Sequence, residues 1–257
     1  MSTFFRLIVV VFALWCAGAA QAQMFMTDAF FDAGGNPIWV SEDQVRALWS
    51  RSGKRDLHSY EDVPATLDEA ILRTVAESLY WTAVHAERGE LLPNGCFPLT
   101  PSHFEQEFAN DAGLTPLVTM VERAKEALEI KVVSVEQGFF YGALKTRVEG
   151  EVLERFRPVS VDRMAKTLVF YLPSVDFKVE QGRVCKQQPG LRVPEEGDEL
   201  LLLGRVDDPV EGLFAVANYF RVKGGRLTEQ PYGFIEGGID QSLASLSQAR
   251  LNVGQDP

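Results

Sequence analysis

The chain has 257 residues, with 25 basic and 36 acidic side chains, and its formal net charge at pH 7 is −11. Nucleic acids and anionic membrane surfaces are bound by basic patches, so this charge argues against both as partners. A hydrophobic fraction of 46% is ordinary for a chain with a sizeable core. The length allows one large domain or two small ones.

Residues 1–22 have the pattern of a secretory signal peptide. One basic residue, Arg6, precedes an apolar run, and small residues follow it up to an A-Q-A sequence that ends at Ala22. The apolar run is shorter than the roughly 20 residues of a membrane span, and no later segment is long enough. We expect cleavage between Ala22 and Gln23 and export to the periplasm or the exterior, with no membrane span.

The three cysteines separate into one in the leader and two in the mature chain. Cys16 would be lipidated in a bacterial lipoprotein, but that signal places a small residue where Trp15 stands. Cys96 and Cys185 form an even pair, which is a disulfide candidate in an oxidising compartment. Two separate buried thiols are the alternative, because spacing alone does not show that the residues meet.

The segment 23–128 is predicted to hold a small hairpin followed by helices. The stretch FFDAGGNPIWV places a Gly-Gly-Asn-Pro turn between two apolar runs, which is typical of a hairpin. A first helix should begin at Ser41, with Gln44 as its capping-box partner. The strongest helix is predicted over Thr66–Glu87, where T-x-x-E forms a second capping box ahead of an amphipathic run.

Three further helices are predicted from capping and spacing. Thr100 and Thr115 each precede a proline that suits the first helical position. The helix after Thr115 would carry Leu128 into the core. In the tail, 236–257, apolar residues recur at helical spacing, which indicates a short C-terminal helix.

The segment 129–235 changes to the pattern of an antiparallel β domain. Its short runs, among them KVVSVEQ, TRVEGEVLERF, TLVFYLP and GLFAVANYFRV, are rich in Val, Phe and Leu and are separated by turn residues. The sequence FRVKGGRL predicts a tight hairpin at Gly224-Gly225, and Gly150 indicates a bend or bulge. Helices followed by strands predict an α+β fold, with an OB-like barrel or a β sandwich as its second part.

The strand ELLLLGR carries four consecutive leucines, Leu200, Leu201, Leu202 and Leu203. Successive side chains point to opposite faces of a strand, so both faces are apolar and both need a cover. The strand is therefore the predicted structural seam between the two parts. The helix Thr66–Glu87 is the expected cover of one face, and a partner subunit or an apolar ligand is the alternative.

The runs VEGEVLERF, VEQGRVCK, PEEGDELLLLGR and GLFAVANYFRVKGGRL resemble a pattern found in uncharacterised exported bacterial proteins. Those proteins carry a signal peptide and a β domain with a P-x-x-G-D/E-x-x-L-L-L/F strand, followed by a hairpin of the FRV-x-x-GR type. The resemblance covers about Val132–Leu227 and rests on structural residues. It implies an exported β domain and no activity.

No common catalytic or cofactor motif occurs in the sequence: G-x-S-x-G, H-E-x-x-H, C-x-x-C, a Walker loop, a dinucleotide glycine loop and an EF-hand loop are all missing. We therefore predict no catalytic residue, no cofactor and no metal site. Two weaker arrangements stay open, His85 with Glu77 on one helix and Cys96 with His103 as a nucleophile pair. The third histidine is His58.

Two clusters of charged residues each allow two interpretations. Acidic residues around the leucine strand form either a solvated rim or a Ca²⁺ site. Basic residues near the predicted bend form either cross-strand ion pairs or a glycan or anion site. The acidic cluster is Glu195, Glu196, Asp198, Glu199, Asp207, Asp208 and Glu211, and the basic cluster is Lys145, Arg147, Arg155, Arg157, Arg163 and Lys166.

The sequence as a whole favours an exported, non-catalytic binding or assembly module of the bacterial envelope, with a protein or a glycan as its partner. The signal pattern, the β domain and the missing motifs lead to this hypothesis. An extracytoplasmic enzyme, hydrolase-like and with scattered catalytic residues, is the alternative. A third hypothesis is a subunit that associates through its apolar β face.

Overall fold

The computed structural model describes eight stretches of the chain: 30–52, 64, 66–99, 124, 126–156, 166–187, 192–206 and 214–229. The leader, the helices predicted after Thr100 and Thr115, and the predicted C-terminal helix lie outside these stretches. Within them, helices and mostly antiparallel strands occur together, which confirms the α+β prediction.

The described residues form two helices and ten strands, and both predicted capping boxes lie at helix starts. Thr66 Oγ1 accepts a hydrogen bond from the Glu69 amide at 3.2 Å, and Gln44 Oε1 accepts one from the Ser41 amide at 3.0 Å. The elements are β1 Trp39–Ser41, α1 Glu42–Ser52, α2 Leu67–Glu87, β2 Phe97–Pro98, β3 Glu126–Phe140, β4 Ala143–Arg155, β5 Thr167–Leu172, β6 Val175–Val179, β7 Gly182–Gln187, β8 Glu199–Val206, β9 Phe214–Lys223 and β10 Arg226–Glu229.

Seven strands form one large antiparallel sheet in the order β10-β9-β8-β3-β4-β5, and β1 pairs with β3. Strand β3 is long enough to pair with β8 along its first half and with β1 at its last three residues. Strand β5 also comes close to β9, so the sheet is curled. It does not close into a barrel, and neither the OB-like barrel nor the sandwich is confirmed.

The curled sheet encloses the first core on its inner face. Gly150 lies opposite Val132, beside a register shift between β3 and β4, and a Cβ added to this glycine would come within 2.5 Å of the Ile130 side chain. The glycine therefore lets the two strands bend around the core. The core residues are Leu128, Ile130, Val132, Val148, Leu168, Phe170, Leu172, Leu200, Leu202 and Tyr219.

The leucine strand β8 is buried on both faces. Leu200 and Leu202 belong to the first core, while Leu201 and Leu203 lie on the opposite face, where Leu201 pairs with the buried Phe220 of β9. Helix α2 is not the cover that the sequence suggested for that face. Its main packing partners are β7, β4, β2 and α1.

A second core lies between the helices, the far end of the β3–β4 hairpin and a small sheet. The small sheet has the order β2-β7-β6, with β2 parallel to β7. Strand β1 begins within the predicted hairpin, β2 lies in the predicted helical part of 23–128, and the predicted helical residue Leu128 lies in β3 instead. The core residues are Phe30, Val45, Ala70, Ile71, Val75, Phe139, Leu144, Val175, Phe177 and Val184.

Cys96 and Cys185 form a disulfide across 89 residues of sequence, as predicted. The bond ties the residue before β2 to β7, beside the pairing of Phe97 with Lys186. No helix in the described part of the chain is long and apolar enough to cross a membrane. The disulfide fits a compartment outside the reducing cytoplasm.

Candidate functional site

Glu195 and Asp198, two residues of the acidic cluster around β8, are used in structural contacts. Asp198 forms an ion pair with Arg221 at 3.0 Å and accepts the Glu195 amide at 2.7 Å, and Arg192 pairs with Glu195 at 3.0 Å. These bonds join the turn before β8 to β9. Asp207, Asp208 and Glu211 lie outside the described residues.

The histidine arrangements suggested by the sequence do not form among the described residues. His85 Nδ1 lies 2.9 Å from Glu90, and its ring stacks on Phe97 with 5.7 Å between centroids. Glu77 pairs with Arg73 instead. His58 and His103 lie outside the described stretches, and the disulfide removes Cys96 as a nucleophile.

In the described stretches, one group of residues has the spacing of metal ligands: the ligand atoms of Cys96, Asp176 and Cys185 all lie within 4.8 Å of one another. Cysteine binds a metal ion as its thiolate, and both sulfurs are bonded to each other in the disulfide. The Asp176 carboxylate is also held by Arg183 through two hydrogen bonds, of 2.7 and 2.6 Å. The oxidised protein therefore has no metal site at this position.

The basic cluster separates into paired and unpaired side chains. Arg147 lies 3.1 Å from Glu149 and 3.6 Å from Glu136, so the predicted ion pairs exist there. Lys145 is half-buried two residues earlier on the same face of β4 and forms no ion pair with a described acid. Arg155 and Lys166 lie at the opposite end of the β3–β4 hairpin, while Arg157 and Arg163 fall outside the described residues.

Three aromatic side chains, the aromatic wall of Trp39, Phe140 and Tyr171, lie beside Lys145. Phe140 and Tyr171 stack with 3.8 Å between centroids, Trp39 lies 5.6 Å from Tyr171, and Lys145 Nζ lies 5.8 Å from the Phe140 centroid. The last distance is within the range of a cation–π contact. Trp39 Nε1 is buried without a hydrogen-bond partner, so the wall also carries an unused donor.

Gly138 makes room for this wall. A Cβ at this position would lie 2.2 Å from the carbonyl oxygen of Val40 and 2.8 Å from the indole ring of Trp39. The end of a flexible side chain could move away from such a Cβ, but the backbone carbonyl of Val40 cannot. A glycine is therefore required for Trp39 to lie against β3.

Lys186 lies on the apolar face of the small sheet. Its register partners are Val175 on β6 and Phe97 on β2, and strand alternation places it on the same face as Val184 in the second core. Burial, and after it the positive charge of Lys145, lower the pKa of Lys186 to about 8. Burial also lowers the pKa of Lys145.

The fold explains why these two residues, the lysine pair, come close together. Strand β5 pairs with β4 only as far as Thr146, so Lys145 lies where that edge of β4 has no described strand neighbour. The chain then passes through Ser174 into β6, and Thr146 Oγ1 donates a 2.5 Å hydrogen bond to the Ser174 carbonyl. This contact brings the small sheet, with Lys186, to the end of β4.

The lysine pair costs stability and has no structural partner among the described residues. A buried ammonium is normally paired with a carboxylate, and here the neighbouring charge has the same sign. Groups perturbed by both burial and a like charge are typical of binding and catalytic sites. The arrangement can hold an anion, and it keeps part of the Lys186 amine neutral near physiological pH.

The sequence indicated only part of this site. Lys145 belonged to the basic cluster, but neither Lys186 nor Trp39 was singled out. One signal was available in VEQGRVCK, where alternation places Lys186 on the same strand face as Val184. Comparison with protein-family models, with curated proteins and with solved structures found no match.

Proposed function

We propose that this chain is an exported, non-catalytic binding module of the bacterial envelope, whose ligand is a small organic anion. One observation carries the proposal: in a chain of net charge −11, the half-buried Lys145 lies beside an aromatic wall and acts on a second half-buried lysine, Lys186, and neither lysine has a described acidic partner. The signal pattern in residues 1–22, the resemblance to exported bacterial proteins and the disulfide support the export.

An anionic ligand would relieve the repulsion between Lys145 and Lys186. Hydrogen bonds from ammonium groups to carboxylate or phosphate oxygens are shorter and stronger than neutral ones, more so where water is partly excluded. The aromatic wall supplies an apolar surface for the body of the ligand, and Trp39 Nε1 supplies a neutral donor. These features favour an organic anion over a bare inorganic one.

Titration calorimetry on the purified exported chain tests this proposal, with phenyl phosphate, benzoate, phenol and inorganic phosphate as probes. We expect the two aromatic anions to bind at least ~10-fold tighter than phenol, which shares the ring but lacks the charge. Lys145→Met should remove this preference. Lys178→Met, which changes an exposed lysine on β6, should leave it intact.

Two results would count against the proposal. One is the absence of binding by both aromatic anions at millimolar concentration. The other is equal binding by the wild type and Lys145→Met, which would place the anion elsewhere.

An extracytoplasmic enzyme is the second candidate. The observation that favours it is the amine of Lys186, because burial and a cationic neighbour are how lysine nucleophiles are activated.

A further inference from the structure

We propose that Lys186 holds its ligand covalently, by condensing with a carbonyl group of a molecule whose anionic group is bound by Lys145. The ligand class is therefore an aldehyde or ketone that also carries a carboxylate or a phosphate. This inference rests on the proposed function, since Lys145 is the anion-binding residue in both.

The surroundings of Lys186 suit a nucleophilic amine. Val175 and Phe97 flank it across the two strand ladders, and Val184 precedes it on the same face of β7. The elements packed on β7 present no described carboxylate to it, and the charge that acts on it is that of Lys145. Nothing in this environment stabilises the ammonium form over the neutral amine.

The protonation state agrees with that geometry. With a pKa of about 8, roughly a tenth of the Lys186 amine is neutral at pH 7, whereas an ordinary lysine is neutral in about 1 molecule in 3,000. Only the neutral amine has the lone pair that attacks a carbonyl carbon. The site therefore raises the fraction of reactive amine by about two orders of magnitude.

The reaction needs no further reactant. The lone pair of Lys186 Nζ attacks the carbonyl carbon and a C–N bond forms. The carbonyl oxygen takes up one proton and the nitrogen releases one, which gives a neutral carbinolamine. The hydroxyl group then leaves with the remaining amine proton as one water molecule, and an imine is left. The step is reversible, so it serves binding as well as turnover.

The two lysines have different tasks in this scheme. Lys145 contacts the face of Phe140, which offsets part of the burial that lowers its pKa and fits the ammonium group to hold the anionic group. Its charge in turn disfavours the ammonium form of Lys186. A ligand with both groups would therefore occupy both lysines, and a simple aldehyde would occupy one.

Reductive trapping on the full exported chain tests the inference. The chain is treated at pH 7 with pyridoxal 5′-phosphate or pyridoxal, together with cyanoborohydride, and labelled lysines are found by peptide mass spectrometry. Pyridoxal lacks the phosphate, and its free hydroxyl group also closes on the aldehyde as an internal hemiacetal, so the rate at Lys186 is divided by the rate at Lys178 with the same reagent. We expect pyridoxal 5′-phosphate to label Lys186 about 10- to 100-fold faster than the exposed Lys178 and Lys223. The ratio of Lys186 to Lys178 labelling should be about 10-fold lower with pyridoxal than with its phosphate.

Two variants locate the effect. Lys145→Met should remove the advantage of the phosphate and leave the labelling by pyridoxal. Lys186→Arg keeps the positive charge and removes the amine, so it should still bind phenyl phosphate but lose the fast-labelled peptide. Lys186→Met serves the same purpose for the labelling, should the larger guanidinium disturb the fold.

The outcomes separate the inference from the function on which it rests. If aromatic anions bind at Lys145 but Lys186 is labelled no faster than Lys178, the covalent role is wrong and the binding proposal stands. If Lys186 is labelled fast but equally by both reagents, the anionic part of the ligand class is wrong. If neither aromatic anion binds, the proposed function itself fails.

Discussion

The two ends of the β3–β4 hairpin differ in what their side chains contribute. At the end next to β8, inward residues such as Leu128, Ile130 and Val148 are apolar and buried. At the end next to β1, the hairpin carries Phe140 and Lys145, which forms no ion pair with a described acid. The end next to β8 stabilises the folded chain, whereas the end next to β1 contains a charged group whose burial destabilises it.

This difference shows where function is to be sought. A buried leucine needs no explanation beyond the area that it removes from water. A buried lysine without a described acid needs one, because its removal should make the protein more stable. The following changes test whether the two ends are separable, beginning with the largest expected effect.

Removing the disulfide should have the largest effect, and it should act mainly on the end of the β3–β4 hairpin that carries Lys145. For Cys96→Ala with Cys185→Ala we expect the free energy of unfolding to fall by about 4–5 kcal/mol, because a long loop in the unfolded chain is no longer closed. Urea denaturation measures the loss. Hydrogen exchange should show β7 and the end of β3 less protected and the β8 end unchanged. A loss below about 1 kcal/mol would mean that the bond adds little constraint.

Displacing the aromatic wall should have a smaller effect. Gly138→Ala places a methyl group against the Val40 carbonyl and Trp39, so β1 must move, at a cost of about 2–3 kcal/mol. Near-ultraviolet circular dichroism should lose the contribution of Trp39. The control is Gly182→Ala, whose new Cβ meets only the end of the Leu79 side chain at 3.2 Å, and whose effect should stay below about 1 kcal/mol. Equal effects in both variants would contradict this account of Gly138.

Removing the half-buried amine of Lys186 should have the smallest effect on the free energy of unfolding, and this effect should be an increase. At pH 7 both the folded and the unfolded chain protonate Lys186, and the folded chain does so at a cost, because its pKa is about 8 rather than 10.5. Lys186→Met should therefore stabilise the protein by about 2 kcal/mol, less than the full shift implies because solvent screens a half-buried group.

The pH dependence identifies the cause of that stabilisation. Between the folded and the unfolded pKa the unfolded chain binds more protons, so the wild type gains stability as the pH rises from about 8 to 10.5. The advantage of Lys186→Met should fade over the same interval in urea titrations. Lys178→Met should change stability by less than about 0.5 kcal/mol at every pH. A constant advantage for Lys186→Met would instead indicate improved packing.

Features that depend on neighbouring residues were predictable from the sequence. The capping box of Thr66 and Glu69 and the tight hairpin at Gly224-Gly225 are local patterns, and both glycines adopt the positive φ that such a turn requires. The even pair of cysteines predicted the disulfide because the leader pattern implied an oxidising compartment.

Features that depend on distant pairing were not predictable. Leu128 was assigned to a helix, although it pairs with Leu202 across β3 and β8. The parallel pairing of β2 with β7 joins segments about 90 residues apart and leaves no periodic signal in so short a strand. The lysine pair was not predictable for the same reason, since contacts between distant residues, such as Thr146 with Ser174 and Gln137 with Asp176, bring the small sheet to the end of the hairpin.

The position of the disulfide has a consequence for when the site becomes complete. Strand β2 pairs with β7 over two residues only, and the bond between Cys96 and Cys185 is the covalent link that keeps Phe97 against Lys186. Reduction of the bond should admit more water to Lys186 and return the pKa of its amine toward the ordinary range. The disulfide thus links the surroundings of Lys186 to the redox state of the compartment in which the chain resides.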